Sequence, residues 1–443
     1  MRVHHRVWVL VTQLVFMVTL VATSFSWSRS ASAEGIEAGG LTLRPVLRLE
    51  SGYDSNVFYN ASGASPRSSA RLDIVPSLGI RTNVPRAIDF RSALSFRWEQ
   101  FLTSSNEAIR QVSGAESDLH LEARLNPLGL VSLRPDFDFR RTNSPAASAT
   151  GDAYRNNYVG AGVELALHPG GAIRTSRMGI SGALRPYFRS WSFPQRSDIN
   201  RNAVGSDLNL YWNFLPKTAV FVQSGVMRSF YAEDSVISTV ASPDGTESRF
   251  ATPNLNSTPW RVMGGLSGLL GVHFSALLSA GYASSNYDGG PSINPFVANA
   301  QLRYIVNERS SVYVGYLRDF SDSNLGNYLQ FNRFAAGLDG RFGRVSTTVE
   351  AFFQSSEYAR VEDQLVNGQP LFGTSERRDS LVGAWVDANY SFTRWVSVGA
   401  NYRLELRDSN FGALSFISAE TAGNQVSASY VRHAVNFVLQ FSY

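Results

Sequence analysis

Five short polar stretches in this sequence carry residue types that either cap turns or bind metal ions. "DSNV" at 54–57 returns as "DSNL" at 322–325 and "DSNF" at 408–411, with the related "SSNE" at 104–107 and "SSNY" at 284–287. Carboxylate, hydroxyl and amide oxygens are ligands that Ca²⁺ accepts, and the same groups hydrogen-bond to their own backbone in turns. Because each stretch follows a run of alternating residues, we expect a turn where a strand ends and a long loop begins. A Ca²⁺ or lipid-headgroup site is the alternative.

Histidine offers little catalytic or metal-binding chemistry in this chain. The histidines after residue 33 lie far apart, at His120, His168, His273 and His433, and none has a recognised metal-ligand spacing. The absence of cysteine excludes disulfides, a thiol nucleophile and thiolate ligands. His433 is the one candidate for a lipid-facing serine–histidine pair, but the sequence identifies no serine partner. We therefore expect no enzyme, no metal site and no cofactor.

Arginine supplies almost all of the positive charge. All 40 basic residues except Lys217 are arginine, and they face 36 acidic residues. A guanidinium offers a planar fork of donors to oxyanions and keeps its charge. Many arginines occupy the polar register of alternating stretches, where they either contact an anionic solute or pair with acids on neighbouring strands. The candidate lumen-facing substrate contacts are Arg44, Arg48, Arg71, Arg91, Arg97, Arg134, Arg140, Arg185, Arg189, Arg303, Arg333 and Arg403.

Alternation with a period of two is the dominant pattern of the chain, and it is typical of strands with one apolar face. In the last stretch, predicted as a strand over 425–443, Val435, Phe437 and Leu439 share one face with polar residues between them. About eighteen such stretches follow one another, an even number in the range of single-chain outer-membrane barrels. Sixteen is the alternative count, because several stretches alternate poorly.

The connections between these stretches alternate in length. Short ones such as 215–217 and 393–394 alternate with long ones rich in Ser, Asn, Asp and Gly, such as 232–257 and 355–379. Outer-membrane barrels have short periplasmic turns and long external loops, whereas a soluble sandwich has no reason to sort its loops. The sequence therefore predicts an all-β fold, a transmembrane antiparallel up-and-down β-barrel.

Bulky aromatic residues cluster near both ends of the predicted strands. Two belts of aromatics fit the two membrane interfaces, with ordinary core packing as the alternative. Those near the long loops include Tyr53, Trp98, Phe101, Trp260, Tyr282 and Phe320, and those near the short turns include Phe274, Phe392 and Trp395.

The first 33 residues have the composition of an export signal. Basic "MRVHHR" precedes an apolar run, and "ASA" at Ala31–Ala33 is a small-residue cleavage site, with an uncleaved anchor as the alternative. We expect a signal peptide over 1–33 and a barrel over 34–443. Without residues 1–33 the charges nearly balance, so the net charge of +4 does not indicate a nucleic-acid partner.

The stretch "GYDSNVF", after "LRPVLRLES", resembles the opening of the beta-barrel porin 2 family. The resemblance implies a large barrel in the outer membrane of a Gram-negative bacterium, and several members are associated with exopolysaccharide secretion loci. The final "FSY", with Phe441 and Tyr443, resembles the signature that the outer-membrane barrel assembly machinery recognises. The family defines no functional residues that could be transferred.

Pattern and resemblance together predict a passive conduit in the outer membrane, and the preferred cargo is an exopolysaccharide leaving the cell. We expect contacts with lipid and lipopolysaccharide outside the barrel and with periplasmic polysaccharide export proteins below it. A general diffusion porin for small anionic solutes and a plugged structural or adhesive barrel are the alternatives.

Overall fold

Long strands account for most of the chain wherever the structure defines it. The computed structural model describes residues 35–59, 67–84, 87–102, 109, 113–143, 155–168, 179–194, 197–232, 235–241, 247–252, 255–289, 292–323, 327–359, 365–366, 369–370, 376–414 and 425–443. The predicted signal peptide lies outside this part of the chain. No helix among the described residues has the length and apolarity needed to cross a membrane.

Eighteen long strands form the main sheet of the described chain. They are β1 (Leu41–Asp54), β2 (Ser69–Thr82), β3 (Ile88–Phe101), β4 (Gly114–Leu125), β5 (Val131–Thr142), β6 (Asn156–Leu167), β7 (Gly179–Ser192), β8 (Arg201–Leu215), β9 (Thr218–Tyr231), β10 (Ser257–Leu269), β11 (Phe274–Tyr287), β12 (Phe296–Asn307), β13 (Ser310–Asp322), β14 (Tyr328–Phe342), β15 (Val345–Tyr358), β16 (Arg378–Ser391), β17 (Val396–Ser409) and β18 (Tyr430–Ser442).

The sheet closes on itself. Each strand pairs antiparallel with the next, and β18 pairs back onto β1, from Ser442 opposite Val46 to Ala434 opposite Asp54. Closure leaves no free strand edge, as a sheet in lipid requires, because lipid offers no partner for backbone polar groups. A short strand, Ile36–Ala38, only extends β1 by a hairpin. The prediction of an up-and-down barrel of about eighteen strands is confirmed, and the count of sixteen is wrong.

Connection lengths alternate around the barrel as predicted. The turns at 216–217 and 343–344 are short, whereas 232–256 and 359–377 are long. Within the long connections the chain forms small two-stranded hairpins, such as Ser235–Ala241 with Glu247–Thr252. The long connections lie at one end of the barrel, which we call the loop end, with the exception of 168–178, which lies at the other end, the turn end.

The outer surface of the barrel is apolar. Leu94 on β3, Val314 on β13 and Phe437 on β18 are all exposed, the last at 62%. Water-soluble proteins do not leave so continuous an apolar face open, because its hydration is costly. The exterior is therefore a lipid-facing surface, and the chain spans a membrane with its strands.

Aromatic residues mark both ends of this apolar surface. Outward rings near the loop end include Tyr53, Trp98, Trp260 and Tyr282, and those near the turn end include Phe274, Phe392 and Trp395. Phe101 and Phe320 are exceptions to the predicted belt, because both are buried. Each packs in a small apolar cluster under the long loops, Phe101 with Val57, Phe58 and Ile109, and Phe320 with Ala283, Ile293 and Val297.

The polar triplets end strands at three of their five positions. Asp54 and Asp322 are the last residues of β1 and β13, and Asp408 is the penultimate residue of β17. The prediction is wrong for Ser284–Tyr287, which continues β11 because these residues pair with β10 from Trp260 to Ser257. The stretch at 104–107 lies outside the described residues.

Candidate functional site

The inner wall of the barrel carries the charged side chains. On β1, exposed Leu47 and Tyr53 point to the lipid side, so Arg44, Arg48 and Glu50 occupy the opposite, inward register. The pairing registers carry this inward face around all eighteen strands, with register shifts at the turn ends of β9 and β12. The polar faces predicted from alternation thus converge on one lumen.

Water reaches this inner wall. Arg140 on β5 and Asp118 on β4 are directly opposite each other on the lumen side of these paired strands. Their side chains are 61% and 46% exposed. A packed interior would bury such groups to a few per cent. Within the described residues, buried apolar side chains form only the two small clusters under the long loops. The lumen is therefore a polar, hydrated space and not a hydrophobic core.

Nine of the twelve predicted arginines form ion pairs along this wall. The pairs are Arg48 with Glu50, Arg71 with Glu99, Arg91 with Asp89, Arg97 with Asp73, Arg134 with Glu164, Arg140 with Asp118, Arg185 with Asp136, Arg303 with Asp339 and Arg333 with Glu350. Most of them join neighbouring or next-neighbouring strands. Of the two interpretations of the arginines, pairing with acids describes these nine. Whether any of them also contacts a solute stays a prediction.

The densest group of pairs lies beside the seam between β1 and β18. Asp73 has a fully buried side chain, and Arg71 and Arg97 approach its Oδ2 atom at 3.7 and 3.3 Å. Arg71 also donates to Glu99 at 3.0 Å, and Arg97 lies 3.6 Å from Glu50. We call these five residues the seam network.

An amide on the closing strand completes this group. Arg71 donates through Nε and Nη2 to Asn436 Oδ1 on β18, at 3.1 and 2.9 Å. Because the seam network spans β1, β2 and β3 and reaches β18, it connects the first and last strands by side chains as well as by the ladder. Its charges are compensated within the wall, which indicates a structural role.

The other three predicted arginines, Arg44, Arg189 and Arg403, form no ion pair with any residue that the structure describes. The guanidinium of Arg189 instead lies 4.2 Å from the ring centroid of Tyr187 on the same strand. Their charges are therefore not cancelled inside the wall, and they are the predicted residues best placed to act on a solute.

Several lumen-side aromatic rings lie flat against the wall. Tyr187 on β7 covers Gly205 on β8 so closely that a Cβ there would meet the ring at 2.6 Å. Phe221 covers Gly265 at 2.6 Å in the same way, and Tyr313 lies over Gly337. Glycine on the neighbouring strand leaves the space that the ring fills, and the ring runs along the wall instead of crossing the lumen.

Guanidiniums stack on these and other inward rings. Arg333 lies 3.8 Å from the centroid of Phe352, Arg303 lies 5.0 Å from Tyr313, and Arg201 lies 4.2 Å from Trp191. Stacking holds the charge while leaving several donors free. Alternation in the sequence does not identify which rings these are. A glycine directly opposite in the next strand is the signal that could have identified them.

The polar triplets act as turn caps in this structure. Asp54 Oδ1 accepts the backbone N–H of Asn56 at 2.9 Å, and Ser409 Oγ accepts the N–H of Phe411 at 3.2 Å. Arg432 binds the carboxylate of Asp54 at 3.1 and 2.6 Å. That carboxylate is thus engaged by a guanidinium, which argues for turn chemistry over a cation site.

Arg432 also extends this contact into the first loop. It donates to the Tyr59 hydroxyl at 2.7 Å and lies 4.5 Å from the centroid of that ring. Burial raises the pKa of the Tyr59 phenol, so it stays neutral and keeps accepting from Arg432. The first turn is therefore fixed to the last strand by Arg432.

The histidines form no catalytic or metal-binding constellation within the described chain. No group of three or more His, Cys, Asp or Glu side chains there could hold a metal ion. His433 faces outward as predicted, and its ring meets the Tyr402 hydroxyl at 2.8 Å. The Ser55 hydroxyl accepts the backbone N–H of His433. The described residues thus give His433 no nucleophile.

These features define a membrane-spanning β-barrel with a hydrated, charged lumen. No protein-family model matches the chain, and no curated protein matches its sequence. Similar solved structures include the siderophore receptor PirA from Pseudomonas aeruginosa, with 10% identity and a TM-score of 0.43 over 94% of this chain and 81% of that chain.

Two further barrels are similar to a comparable extent. The outer membrane protein opdK from Pseudomonas aeruginosa has 10% identity and a TM-score of 0.45, over 90% of this chain and 99% of that chain. OccAB3 from Acinetobacter baumannii has 8% identity and a TM-score of 0.46, over 90% and 99%. At these values the likeness carries no information about cargo.

Proposed function

We propose that this chain forms a passive conduit in the outer membrane and that an exopolysaccharide leaves the cell through it. The observation that carries the proposal is the inner wall, which is charged, open to water and covered in places by flat aromatic rings. A polymer moving through a channel must bind well enough to enter and weakly enough to move on. Many compensated charges and exposed ring faces provide such repeated weak contacts.

The membrane and the orientation follow from the strand pattern. An even number of strands, with long loops at one end and short turns at the other, is the arrangement of outer-membrane barrels, whose long loops face outward. The turn end then faces the periplasm, where export proteins would deliver the chain. Phe441 and Tyr443, at the end of β18, are proposed as the contact for the barrel assembly machinery.

A general porin for small anions is the second candidate. Arg44, Arg189 and Arg403 favour it, because they carry charge that no described acid cancels. The nine paired arginines argue against strong anion selectivity along the whole lumen, since a paired charge presents little field to a passing ion. The resemblance of "GYDSNVF" to the beta-barrel porin 2 family supports the first candidate.

Two measurements together test the proposal. Purified protein in planar bilayers should give stepwise ion conductance, and a deletion strain should secrete less exopolysaccharide and retain it in the periplasm until the gene is restored. Conductance with unchanged secretion would favour the general porin. Absence of conductance would favour a plugged structural barrel.

A further inference from the structure

Four arginines line one groove in the inner wall at the turn end. They are Arg44, Arg341, Arg344 and Arg394, which we call the mouth cluster. The groove encloses about 320 Å³, within the size range of small-ligand sites. It runs along the wall from the end of β14 through the turns of β14–β15 and β16–β17 to β18 and the start of β1.

No acidic side chain lines this groove among the described residues. Arg44, Arg344 and Arg394 form no ion pair with any described residue, whereas Arg341 also lines the neighbouring groove, which contains Asp339 and Glu308. Elsewhere in the wall arginine is matched by acids, as Arg303 is by Asp339. The mouth cluster is therefore a local excess of positive charge at the periplasmic entrance.

Neutral groups contact two of these guanidiniums. Arg344 donates through Nη1 to the Phe392 carbonyl at 3.2 Å, and Arg394 lies 4.4 Å from the centroid of Trp395. The Nε of Arg44 is buried and has no hydrogen-bond partner. The contacts of Arg344 and Arg394 leave most of their guanidinium donors available to an incoming anion.

The rest of the groove is lined by groups that suit sugar hydroxyls. Ser346, Ser391, Thr393, Ser397 and Gln440 contribute hydroxyl and amide groups between the arginines. Hydroxyls and amides both donate and accept, which matches the hydroxyls of a sugar ring. Guanidinium forks match a carboxylate in geometry as well as in charge.

We propose that the mouth cluster binds the acidic sugar residues of an anionic polysaccharide as it enters from the periplasm. The proposal rests on the conduit function and adds the class of cargo: a glycan that carries carboxylates. The cluster recognises the carboxylate, the hydroxyl groups recognise the ring, and the paired wall beyond offers weaker contacts. No covalent step is involved.

Oriented single-channel recording tests this assignment. The probes are hexagalacturonate, which carries a carboxylate on every sugar, and neutral maltohexaose. We expect hexagalacturonate added at the turn end to interrupt the ion current at concentrations where maltohexaose does not. Addition at the loop end should interrupt it less often, because the chain meets the paired wall first.

The variant Arg44→Gln/Arg394→Gln removes two charges and keeps polar groups in place. We expect its association constant for hexagalacturonate to fall about tenfold or more, because two charge-assisted contacts are lost. Arg228→Gln is the control: it removes one arginine charge outside the lumen that Asp288 pairs, far from the cluster, and should leave the constant unchanged. Heat-modifiable migration on gels confirms that each variant is folded.

The outcomes separate this inference from the conduit function. Absence of current in the wild type would overturn the conduit function, and with it the inference. Current that neither probe interrupts, or interrupts equally, would overturn the inference alone. An unchanged association constant in the double variant would also overturn it. If monomeric galacturonate or inorganic phosphate competes as strongly as the hexamer, the cluster is a simple anion site and the glycan assignment is wrong.

Discussion

Two groups of arginines in the same wall are held in opposite ways. The seam network surrounds Arg71 and Arg97 with Glu50, Asp73 and Glu99, all within hydrogen-bond or ion-pair distance. In the mouth cluster, Arg344 donates to a backbone carbonyl, Arg394 lies over an aromatic ring, and no acidic side chain of the described residues lines the groove. One residue type therefore serves two purposes, and the neighbours decide which.

The difference follows from electrostatics. A charge that is paired and partly buried contributes to holding its partners together, and removing one partner leaves the other desolvated and alone. A charge held by neutral groups keeps most of its field and can act on a mobile ion. The seam network should thus govern stability, and the mouth cluster should govern selectivity.

The largest effect is expected in the seam network. Arg71→Leu leaves buried Asp73 and Glu99 short of a counter-charge and removes the contact to Asn436, which should lower the free energy of unfolding by about 3 kcal/mol. Urea unfolding of the protein in detergent micelles, followed by loss of heat-modifiable migration, measures it. Conductance and ion selectivity of the folded fraction should stay close to wild type.

Arg140→Leu is the matched control for that variant. Its pair with Asp118 is exposed on both sides, so its loss should cost at most about 1 kcal/mol. Equal destabilisation by both substitutions would contradict the structural role assigned to the seam network.

The sequence predicts the barrel well because its period is strict. A shift of a strand's pairing register by one residue would turn all of its polar side chains toward lipid. Alternation therefore defines which face of each strand is inward and which is outward. The start of the last strand is the main error. Residues 425–427 do not begin β18; they pair with Gly412–Leu414 in an external hairpin, which alternates as a strand does.

The arginine partners could not be predicted in the same way. Arg71 contacts Asn436, 365 residues away, because closure brings the first and last strands together. The stagger between strands decides which acid lies beside which arginine. Alternation within a strand gives no information about that stagger. Arg344 and Arg394 lie in turns, where the pattern gives no inward or outward side.

A second prediction tests whether a glycine on the neighbouring strand holds an aromatic ring flat against the wall. Gly337→Ala places a Cβ within 2.5 Å of the Tyr313 ring, so the ring and the Arg303 guanidinium that lies over it must move. We expect a loss of about 1–2 kcal/mol in unfolding free energy. Gly315→Ala is the control, since its Cβ would meet only the Ala300 carbonyl oxygen at 3.6 Å. Similar stability of the two variants would show that the ring is not held by the glycine.

A third variant converts a paired arginine into an unpaired one. Asp118→Asn keeps the size of the side chain and leaves Arg140 without its counter-charge in the lumen. Reversal potentials in a salt gradient should shift toward anions by about twofold in permeability ratio, because fixed charge selects ions by sign. Stability should change little. An unchanged reversal potential would show that pairing with an acid does not determine how arginines in this wall act on ions.

The smallest effect is expected at an exposed pair outside the lumen. Arg228 donates to Asp288 at 2.5 Å beyond the end of β11, and this hydrogen bond lowers the pKa of the Asp288 carboxyl. A lowered pKa in the folded state contributes stability above the unfolded value of about 4, and that contribution is lost as pH falls through the folded pKa. Asp288→Asn should therefore unfold slightly more easily than wild type at pH 7, and the difference should vanish below the folded pKa and in 1 M salt. Urea unfolding midpoints of both proteins, recorded from pH 7 downward, measure this difference in stability. A difference that persists in acid would show that the pair stabilises the fold through packing and not through charge.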